Sequence, residues 1–229
     1  MGEFAGFGSE LLEFLGQLRL HNDRSWFEAN KARYERHVRK PALAFIEAMA
    51  PRLRAVSPVL VADPRRVGGS LMRIHRDVRF TKDPSPYKTN LGIQFRHVAG
   101  KDVHAPGLYF HVDADEAFLG AGMWHPEANP LRAIRDAIVT RPEAWVAARD
   151  YRAFRQRWRL SGDSLKRAPR DFDPEHPLIA DIKRTDFIAV LDLSDDDVLS
   201  SDLPDRIASH FATATPLMRF LSTAVGLPY

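Results

Sequence analysis

The sequence predicts a single α+β domain over residues 1–229, in which N-terminal and C-terminal helices flank an antiparallel sheet of about four or more strands. Three observations predict this fold class. Apolar residues recur at helical spacing through roughly the first 56 positions. In the middle of the chain they alternate with polar residues in short runs between turn residues. Helix-starting residues return after Pro126.

The N-terminal part of the chain predicts three helices. We expect Ser9 to cap the first and Asp23 the second, because short polar side chains accept hydrogen bonds from the free amides of a helix start. Pro41 is expected to open the third helix as its first residue, and Pro51 to mark a kink or a boundary in it. The rings that we expect in the core here are those of Trp26, Phe27 and Tyr34.

The middle of the chain predicts strands. The candidates are Val67–Phe80, Thr89–Val98, Leu108–Val112 and Ala117–Trp124. The acidic run at 113–116 is expected to be the hairpin turn between the last two, because Asp favours turns by bonding to nearby backbone amides. Consecutive strands joined by short turns imply antiparallel pairing.

Residues that typically start helices occur again after the strands. We expect Asn129 to cap one helix and Pro142 to open another, with Phe154 and Trp158 at positions i and i+4 of a third.

The last third of the chain is mixed. Leu160–His176 is typical of a long loop, and Asp186–Leu193 fits either a strand or a short helix. Pro204–Val225 predicts a closing helix that Pro216 kinks or splits.

Composition excludes several classes of protein. Hydrophobic residues make up 45% of the 229 and charged residues 28%, as in ordinary globular proteins. The absence of cysteine excludes disulfides, cysteine-ligated metals and cysteine nucleophiles. No apolar run reaches about 18 residues and no signal-peptide pattern begins the chain, so we expect a cytoplasmic protein that does not enter a membrane.

Positive charge is concentrated locally, although the net charge is only +3. Residues 51–100 hold ten Lys and Arg against three acids, and residues 141–170 hold nine against three. Residues 181–210 reverse this balance, with three against eight. Such a distribution predicts a local anion site rather than a polycationic surface.

The stretch Arg73–Asn90 holds the side chains best suited to chemistry. If its first part is a regular strand, one face carries Arg73, His75, Asp77 and Arg79. Arg76 then points into an apolar layer, where a guanidinium needs an anionic partner unless a bulge turns the strand. That partner is either a carboxylate of the protein or a bound anion.

Two interpretations of this stretch stay open. In the first, the arginines gather around a phosphate or carboxylate, Asp77 orients them or acts as a base, and Tyr87 and Lys88 close over the anion. In the second, Asp77 pairs with Arg76 or Arg79 in an internal salt-bridge network. Four cations against two acids between residues 73 and 83 leave positive charge over, which favours a ligand. The ligand-binding candidates are Arg73, Arg76, Arg79, Lys82, Tyr87 and Lys88.

The same stretch resembles the family called domain of unknown function 2461, which is marked by Arg-x-x-Arg-Asp-x-Arg-Phe, three further positions and Lys-x-x-Tyr. The residues that fit this pattern in register are Arg73, Arg76, Asp77, Arg79, Phe80 and Tyr87. Pro84 stands at the position of the family's lysine, so Lys82 or Lys88 would have to take its place. Residues 22–27, 120–126 and 165–187 also look similar. The family's name implies no established activity.

Other clusters give weaker signals. His111 alternates with Asp113 and Asp115 and suits a divalent metal, but the hairpin turn already explains the acids, so the sequence predicts no metal site. The Gly-Ala-Gly run at 120–122 lacks the setting of a dinucleotide fingerprint, and no cofactor is expected.

Residues 149–159 carry five arginines among Tyr151, Phe154 and Trp158. Rings in such a stretch can stack on nucleic-acid bases, but a solvated helix face with an apolar seam is the better explanation.

The function predicted from the sequence is binding of an anionic small ligand or nucleotide, with phosphate as the expected anion, in an arginine-rich pocket on the sheet. One alternative is an enzyme that acts on a phosphate ester, with Asp77, His75 or His111 as the general base. Another is a structural salt-bridge network without a ligand.

Overall fold

The computed structural model describes residues 4–79, 83–99 and 105–229. Its α-helices are Glu10–Leu20 (α1), Arg24–Tyr34 (α2), Lys40–Val56 (α3), Ala128–Thr140 (α4), Pro142–Arg149 (α5), Arg152–Arg155 (α6), Ile179–Ile182 (α7), Asp195–Leu199 (α8), Leu203–Thr213 (α9) and Thr215–Ala224 (α10). Its strands are Leu60–Val61 (β1), Leu91–His97 (β2), Gly107–Val112 (β3), Ala117–Met123 (β4), Arg159–Ser161 (β5) and Phe187–Leu193 (β6). Helices before and after one sheet confirm the α+β prediction.

The six strands form one antiparallel sheet in the order β1-β2-β3-β4-β6-β5. The predicted strands at 89–98, 108–112 and 117–124 are confirmed, and residues 187–193 form a strand rather than a helix. The predicted hairpin turn is also confirmed, because Asp113 Oδ1 accepts the backbone N–H groups of Asp115 (2.8 Å) and Glu116 (2.9 Å). The two outermost strands have only two and three residues, too few for period-two alternation to predict them.

One face of the sheet is covered by helices and holds the hydrophobic core. Alternate residues of β3 and β4, such as Phe110 and Leu119, are fully buried on this face. Aromatic rings join it to the helices: Phe45 of α3 lies 5.3 Å from Phe110, and Phe211 of α9 lies 6.2 Å from Phe95. The intervening residues of these strands are half-buried and point the other way. We call this second side the open face, and its residues include Tyr109, His111, Phe118, Gly120, Ile188 and Val190.

The predicted strand at 67–80 is wrong for its described residues. They make only two isolated bridges, Leu71 to Ile93 and His75 to Tyr87. Leu71 and His75 are four positions apart, whereas their partners Ile93 and Tyr87 are six positions apart. The second segment thus holds two extra residues, and a bulge interrupts the ladder. β1 also takes the far end of the same β2 edge, at residues 96 and 97.

Several helix boundaries differ from prediction. α2 runs into α3 through one π-helical turn at Glu35–Arg39, so Pro41 opens no new helix and lies second in α3. Pro41 has no N–H, and the wider turn accommodates its ring. Pro51 lies inside α3 and marks no boundary. Asn129 does not cap α4, because Glu127 occupies the cap position.

Of the remaining predictions for the C-terminal part, some are confirmed and others are wrong. Pro142 opens α5 as predicted, and Pro216 marks the split between α9 and α10. Phe154 and Trp158 do not share a helix, because α6 ends at residue 155, and the predicted loop at 160–176 overlaps the end of β5. The two rings still stack, with centroids 6.2 Å apart.

Candidate functional site

The candidate site lies on two paired segments, residues 70–79 and 83–90, which we call the arginine ribbon. Its two segments are joined by the backbone hydrogen bonds from Arg76 N to Pro86 O (2.9 Å) and from Lys88 N to Ile74 O (2.7 Å). The second segment is anchored on the helix side by Asn22. The Asn22 amide donates to Tyr87 O (2.9 Å) and accepts from Tyr87 N (3.1 Å), as a neighbouring strand would.

Tyr87 anchors the ribbon through its ring as well. The ring is buried and stacks on Phe27 of α2 with centroids 4.1 Å apart. His75 lies opposite Tyr87, with its ring 5.2 Å from the tyrosine ring. These two predicted site residues therefore take part in the packing that fixes the ribbon against α2.

Two of the three predicted arginines are matched by carboxylates of the ribbon. The Arg79 guanidinium donates through Nε (2.9 Å) and Nη2 (2.6 Å) to Asp77, and Arg76 donates to Asp83. The Arg79 hydrogen bonds, together with the charge of Arg73, hold the pKa of Asp77 below its usual value. The pKa of Asp83 is also lowered, by hydrogen bonds from Ser85 and Arg76. Arg76 keeps 29% of its side-chain surface exposed, so it does not point into an apolar layer.

Arg73 and Lys88 differ from these pairs. Within residues 4–79, 83–99 and 105–229, neither makes a salt bridge with a carboxylate. Lys88 is half-buried, and burial lowers its pKa, with the nearby charge of Arg73 as the second cause. The backbone bond from Lys88 N to Ile74 O places these two cations on paired segments of the ribbon. Lys82, the remaining predicted cation, lies outside the described residues.

The third predicted base, His111, belongs to a polar chain on the open face. Its Nδ1 atom lies 3.1 Å from the Tyr109 hydroxyl and 3.4 Å from Asn90 Nδ2, and its Nε2 atom lies 3.4 Å from Asp113 Oδ2. The imidazole stacks on Phe118 at 4.5 Å. Burial raises the pKa of Tyr109 to about 12, so its hydroxyl stays protonated at neutral pH and can donate to Nδ1.

Sequence reasoning missed Tyr109 and Asn90. The alternation of Tyr109 with His111 in β3 would have placed both side chains on one face. Asn90 follows Lys88 by two residues, so it connects the ribbon to the His111 chain. Only pairing of β2 with β3 brings Asn90 beside His111, and no local pattern encodes that contact.

Some of the side chains at the β3–β4 hairpin are spaced as the ligands of a metal ion would be. One ligand atom from each of His111, Asp113 and Glu116 lies within 4.8 Å of the other two. Asp115, which the sequence placed beside His111 and Asp113, pairs with Arg19 instead. Because Asp113 Oδ1 already accepts two backbone amides, the turn accounts for this carboxylate without an ion.

The basic-aromatic stretch at 149–159 lacks stacking platforms. Phe154 and Trp158 are buried in the core, and Arg149 donates to both Asp150 and Asp181. Tyr151 alone among the three rings is exposed. Residues 149–159 therefore do not present the row of rings that single-stranded nucleic acid needs.

Comparison with known proteins gave one match. The model of a family described as conserved hypothetical protein (DUF2461) matches residues 10–220, which is nearly the whole chain. Searches of curated proteins and of solved structures found no match. Among the described helices, none combines the length and apolarity needed to cross a membrane.

Proposed function

The chain belongs to the DUF2461 family of conserved hypothetical proteins, and on that premise we propose that it binds a phosphate-bearing small ligand at the arginine ribbon. The observation that carries this proposal is the position of Arg73 and Lys88 on the paired segments of the ribbon, where Lys88 N donates to the carbonyl of Ile74, the residue after Arg73. Neither makes a salt bridge in the described part of the chain, and the charge of Arg73 acts both on Lys88, whose pKa it helps to lower, and on Asp77. An anion between them would offset both the repulsion and the partial loss of hydration.

The other two predicted arginines already have carboxylate partners on the same ribbon. Asp77 pairs with Arg79 and Asp83 with Arg76, which leaves these arginines less available to an anion. The pair of Asp77 with Arg79 corresponds to the internal network that the sequence left open, and Arg73 and Lys88 are the predicted cations of the described residues that make no salt bridge. The pocket we propose thus uses two of the five cations among the six ligand residues predicted from the sequence.

The test is a set of thermal melts with and without phosphate, at ionic strength matched with chloride. If phosphate binds with a dissociation constant of about 1 mM, then about 10 mM phosphate stabilises the protein by about 1.4 kcal/mol. For a chain of this length, that is a rise in Tm of about 3–6 °C. Nucleotides and sugar phosphates tested in the same way would rank the ligand class.

The variant for this test is Lys88→Met, with Lys166→Met as the control. Lys166 is an exposed lysine of the 162–178 loop, so its loss changes net charge alone. Lys88→Met should abolish the phosphate effect and leave the phosphate-free protein at least as stable, because it removes repulsion with Arg73. A phosphate effect that survives in Lys88→Met would contradict the proposal. No effect in the unmodified protein, combined with a large loss of stability in Lys88→Met, would point to the structural network.

A second candidate function is hydrolysis of a phosphate ester, and the observation that favours it is the chain Tyr109–His111–Asp113. Of the three bases considered from the sequence, Asp77 is held by Arg79 with a lowered pKa, and His75 packs on Tyr87. His111 alone has a hydroxyl at one ring nitrogen and a carboxylate at the other. As the water oxygen bonds to phosphorus, Tyr109 would pass a proton from that water to Nδ1, and Asp113 would stabilise the resulting imidazolium. The ester P–O bond would break, and the proton would return through Tyr109 to the leaving oxygen.

Turnover of bis-4-nitrophenyl phosphate tests this candidate. Tyr109→Phe and His111→Gln should each lower the rate at least tenfold while Asp77→Asn retains it, because Asp77 is not the base. Equal loss in Asp77→Asn would reverse that assignment. Absence of turnover in the unmodified protein would exclude the enzyme and leave the binding proposal standing.

A further inference from the structure

The β3–β4 hairpin brings together one imidazole and two carboxylates. His111 lies in β3, Asp113 directly follows that strand, and Glu116 directly precedes β4. One ligand atom from each of the three lies within 4.8 Å of the other two. The side chains of His111 and Asp113 are only 15% and 27% exposed, so these two groups are largely shielded from water.

The hairpin turn uses only one oxygen of Asp113. Its Oδ1 atom accepts two backbone amides of the turn, whereas Oδ2 faces His111 Nε2. The Glu116 carboxylate makes no hydrogen bond or salt bridge within the described residues, and Arg159, which senses its charge, pairs with Asp192. The turn therefore explains the presence of Asp113 but leaves Oδ2 and the Glu116 carboxylate available to a ligand.

The distance between Asp113 Oδ2 and His111 Nε2 suits two ligands of one ion. At 3.4 Å it exceeds the range of about 2.7–3.2 Å that is usual for an N–H···O hydrogen bond. Two ligands of a tetrahedral ion lie about 3.4 Å apart when each metal–ligand bond is about 2.1 Å long. These two atoms are thus already spaced as neighbouring ligands, with Glu116 as the third.

The other side of the His111 ring is held by groups outside this cluster. A metal-bound imidazole commonly donates its second ring N–H to a polar partner, which fixes the orientation of the ring. Here Nδ1 lies 3.1 Å from the Tyr109 hydroxyl, whose oxygen can accept a hydrogen bond. The ring also stacks on Phe118, with centroids 4.5 Å apart and planes 13° apart. Nε2 is therefore directed at the carboxylate by contacts that do not involve the cluster itself.

We propose that His111 Nε2, Asp113 Oδ2 and the Glu116 carboxylate bind a divalent first-row transition cation, with Mn²⁺ and Zn²⁺ as the representative ions. An imidazole with two carboxylates suits these ions, whereas Ca²⁺ and Mg²⁺ prefer sites made of oxygen ligands. The two carboxylates offset the charge of the ion. Three protein ligands also leave a coordination position for water. The sequence analysis expected no metal site, because it assigned the acids to the turn alone.

This proposal does not rest on anion binding at the arginine ribbon, and it is separable from the hydrolysis candidate. A cation on Nε2 requires the proton of His111 to be on Nδ1, which then donates to Tyr109. Nδ1 has no lone pair to accept a proton in that state. The bound cation and the general-base role of His111 therefore exclude each other, and the test of the metal site measures binding without turnover.

The test is a titration of the full chain with Mn²⁺ after treatment with a chelator, in which electron paramagnetic resonance measures the unbound ion. We expect one Mn²⁺ per chain, displaced by Zn²⁺ but not by an equal concentration of Mg²⁺. Glu116→Gln should weaken Mn²⁺ binding at least tenfold. Glu116 is exposed and Gln has nearly the same shape, so this variant should fold normally.

The matched control is Glu175→Gln. Glu175 is also exposed and follows an aspartate whose Oδ1 atom accepts its backbone N–H, Asp173 at 2.9 Å, with His176 as the next residue. These residues do not form a cluster of ligand atoms in the described structure. Glu175→Gln should leave Mn²⁺ binding unchanged. Absence of binding to the unmodified protein at millimolar Mn²⁺, unchanged affinity in Glu116→Gln, or an equal loss in Glu175→Gln would overturn the proposal.

A second measurement identifies the coordinating nitrogen without any variant. Zn²⁺ is diamagnetic, so nitrogen-15 NMR can follow the ring of His111, assigned through its backbone resonances, as Zn²⁺ is added. We expect the Nε2 signal to move to the position of a metal-bound nitrogen while Nδ1 keeps its proton. Coordination through Nδ1, or an unchanged His111 ring at saturating Zn²⁺, would overturn the assignment of this site.

Discussion

Replacing Gly122 by Ala should destabilise the protein far more than the same change at Gly68, although both glycines have positive φ. Gly122 has φ +127° in β4, and an added Cβ would lie 2.0 Å from the carbonyl oxygen of Phe187 in the paired strand β6. Gly68 has φ +73° and nothing within 4 Å of an added Cβ. The comparison therefore separates the cost of the backbone conformation from the cost of a steric clash.

The expected magnitudes follow from those two environments. At Gly68 only the left-handed conformation is penalised, at about 1 kcal/mol. At Gly122 the contact is with backbone in the middle of the sheet, so β4 and β6 must separate and lose part of their ladder, which costs about 4 kcal/mol in all. For a chain of this length, the Tm should fall by about 2–4 °C for Gly68→Ala and by about 8–16 °C for Gly122→Ala.

Thermal melts followed by circular dichroism measure both shifts in phosphate-free buffer. The two variants carry the same added methyl group, so differences in the unfolded state largely cancel. Equal shifts, or a smaller shift at Gly122, would refute the close approach of β4 to β6 and with it the described register of the two strands.

Three further predictions concern hydrogen bonds and burial. Trp145→Phe should lower the free energy of unfolding in denaturant by about 1–2 kcal/mol more than Trp158→Phe does. The reason is that the Trp145 indole donates to the Asp181 carboxylate (2.9 Å), whereas the Trp158 indole donates to the neutral Thr213 hydroxyl. Equal losses of stability would contradict a charged acceptor at Trp145. Asp23→Ala should lower the Tm more than Ser9→Ala, because only Asp23 makes a side-chain cap bond. That difference should disappear in acid, since hydrogen bonds from Ser25 and Trp26 lower the pKa of Asp23 and a carboxyl with a lowered folded-state pKa loses its contribution as pH falls. Burial raises the pKa of Tyr34, Tyr109 and Tyr229 to about 12. Each of these tyrosines should therefore lower the free energy of unfolding by at most about 1.4 kcal/mol per pH unit between about pH 10 and 12. An ultraviolet titration in which all five tyrosines of the chain ionise together would contradict this prediction.

The parts of the fold that sequence predicted well are those whose neighbours in space are neighbours along the chain. β3, its turn and β4 follow from alternation and from acidic turn residues, and Asp23 follows from local capping. The strand predicted at 67–80 failed for the opposite reason. Its alternating pattern is real, but the edge of β2 on which it would pair is shared with β1, and a bulge interrupts the remaining contacts.

The same distinction between local and distant contacts applies to the candidate site. The pair Asp77–Arg79 lies two residues apart, and the sequence already offered it as one interpretation. The bonds of Asn22 to Tyr87 span 65 residues. Such contacts depend on how α2 packs, which residue spacing does not encode. The excess of positive charge between residues 73 and 90 was therefore predictable. The structure was needed to find that Arg73 and Lys88 make no salt bridge within the described residues.

The short outer strands of the sheet have a consequence for self-association. A long free edge can pair with the edge of a second copy, and repeated pairing of this kind builds fibrils. Here β1 has two residues and β5 has three, and exposed Arg159 begins β5. Each of these outer strands thus presents only a short row of backbone donors and acceptors, and at β5 the exposed Arg159 pairs with Asp192 of β6. We therefore expect edge-to-edge pairing between copies of the sheet to be limited at these two strands.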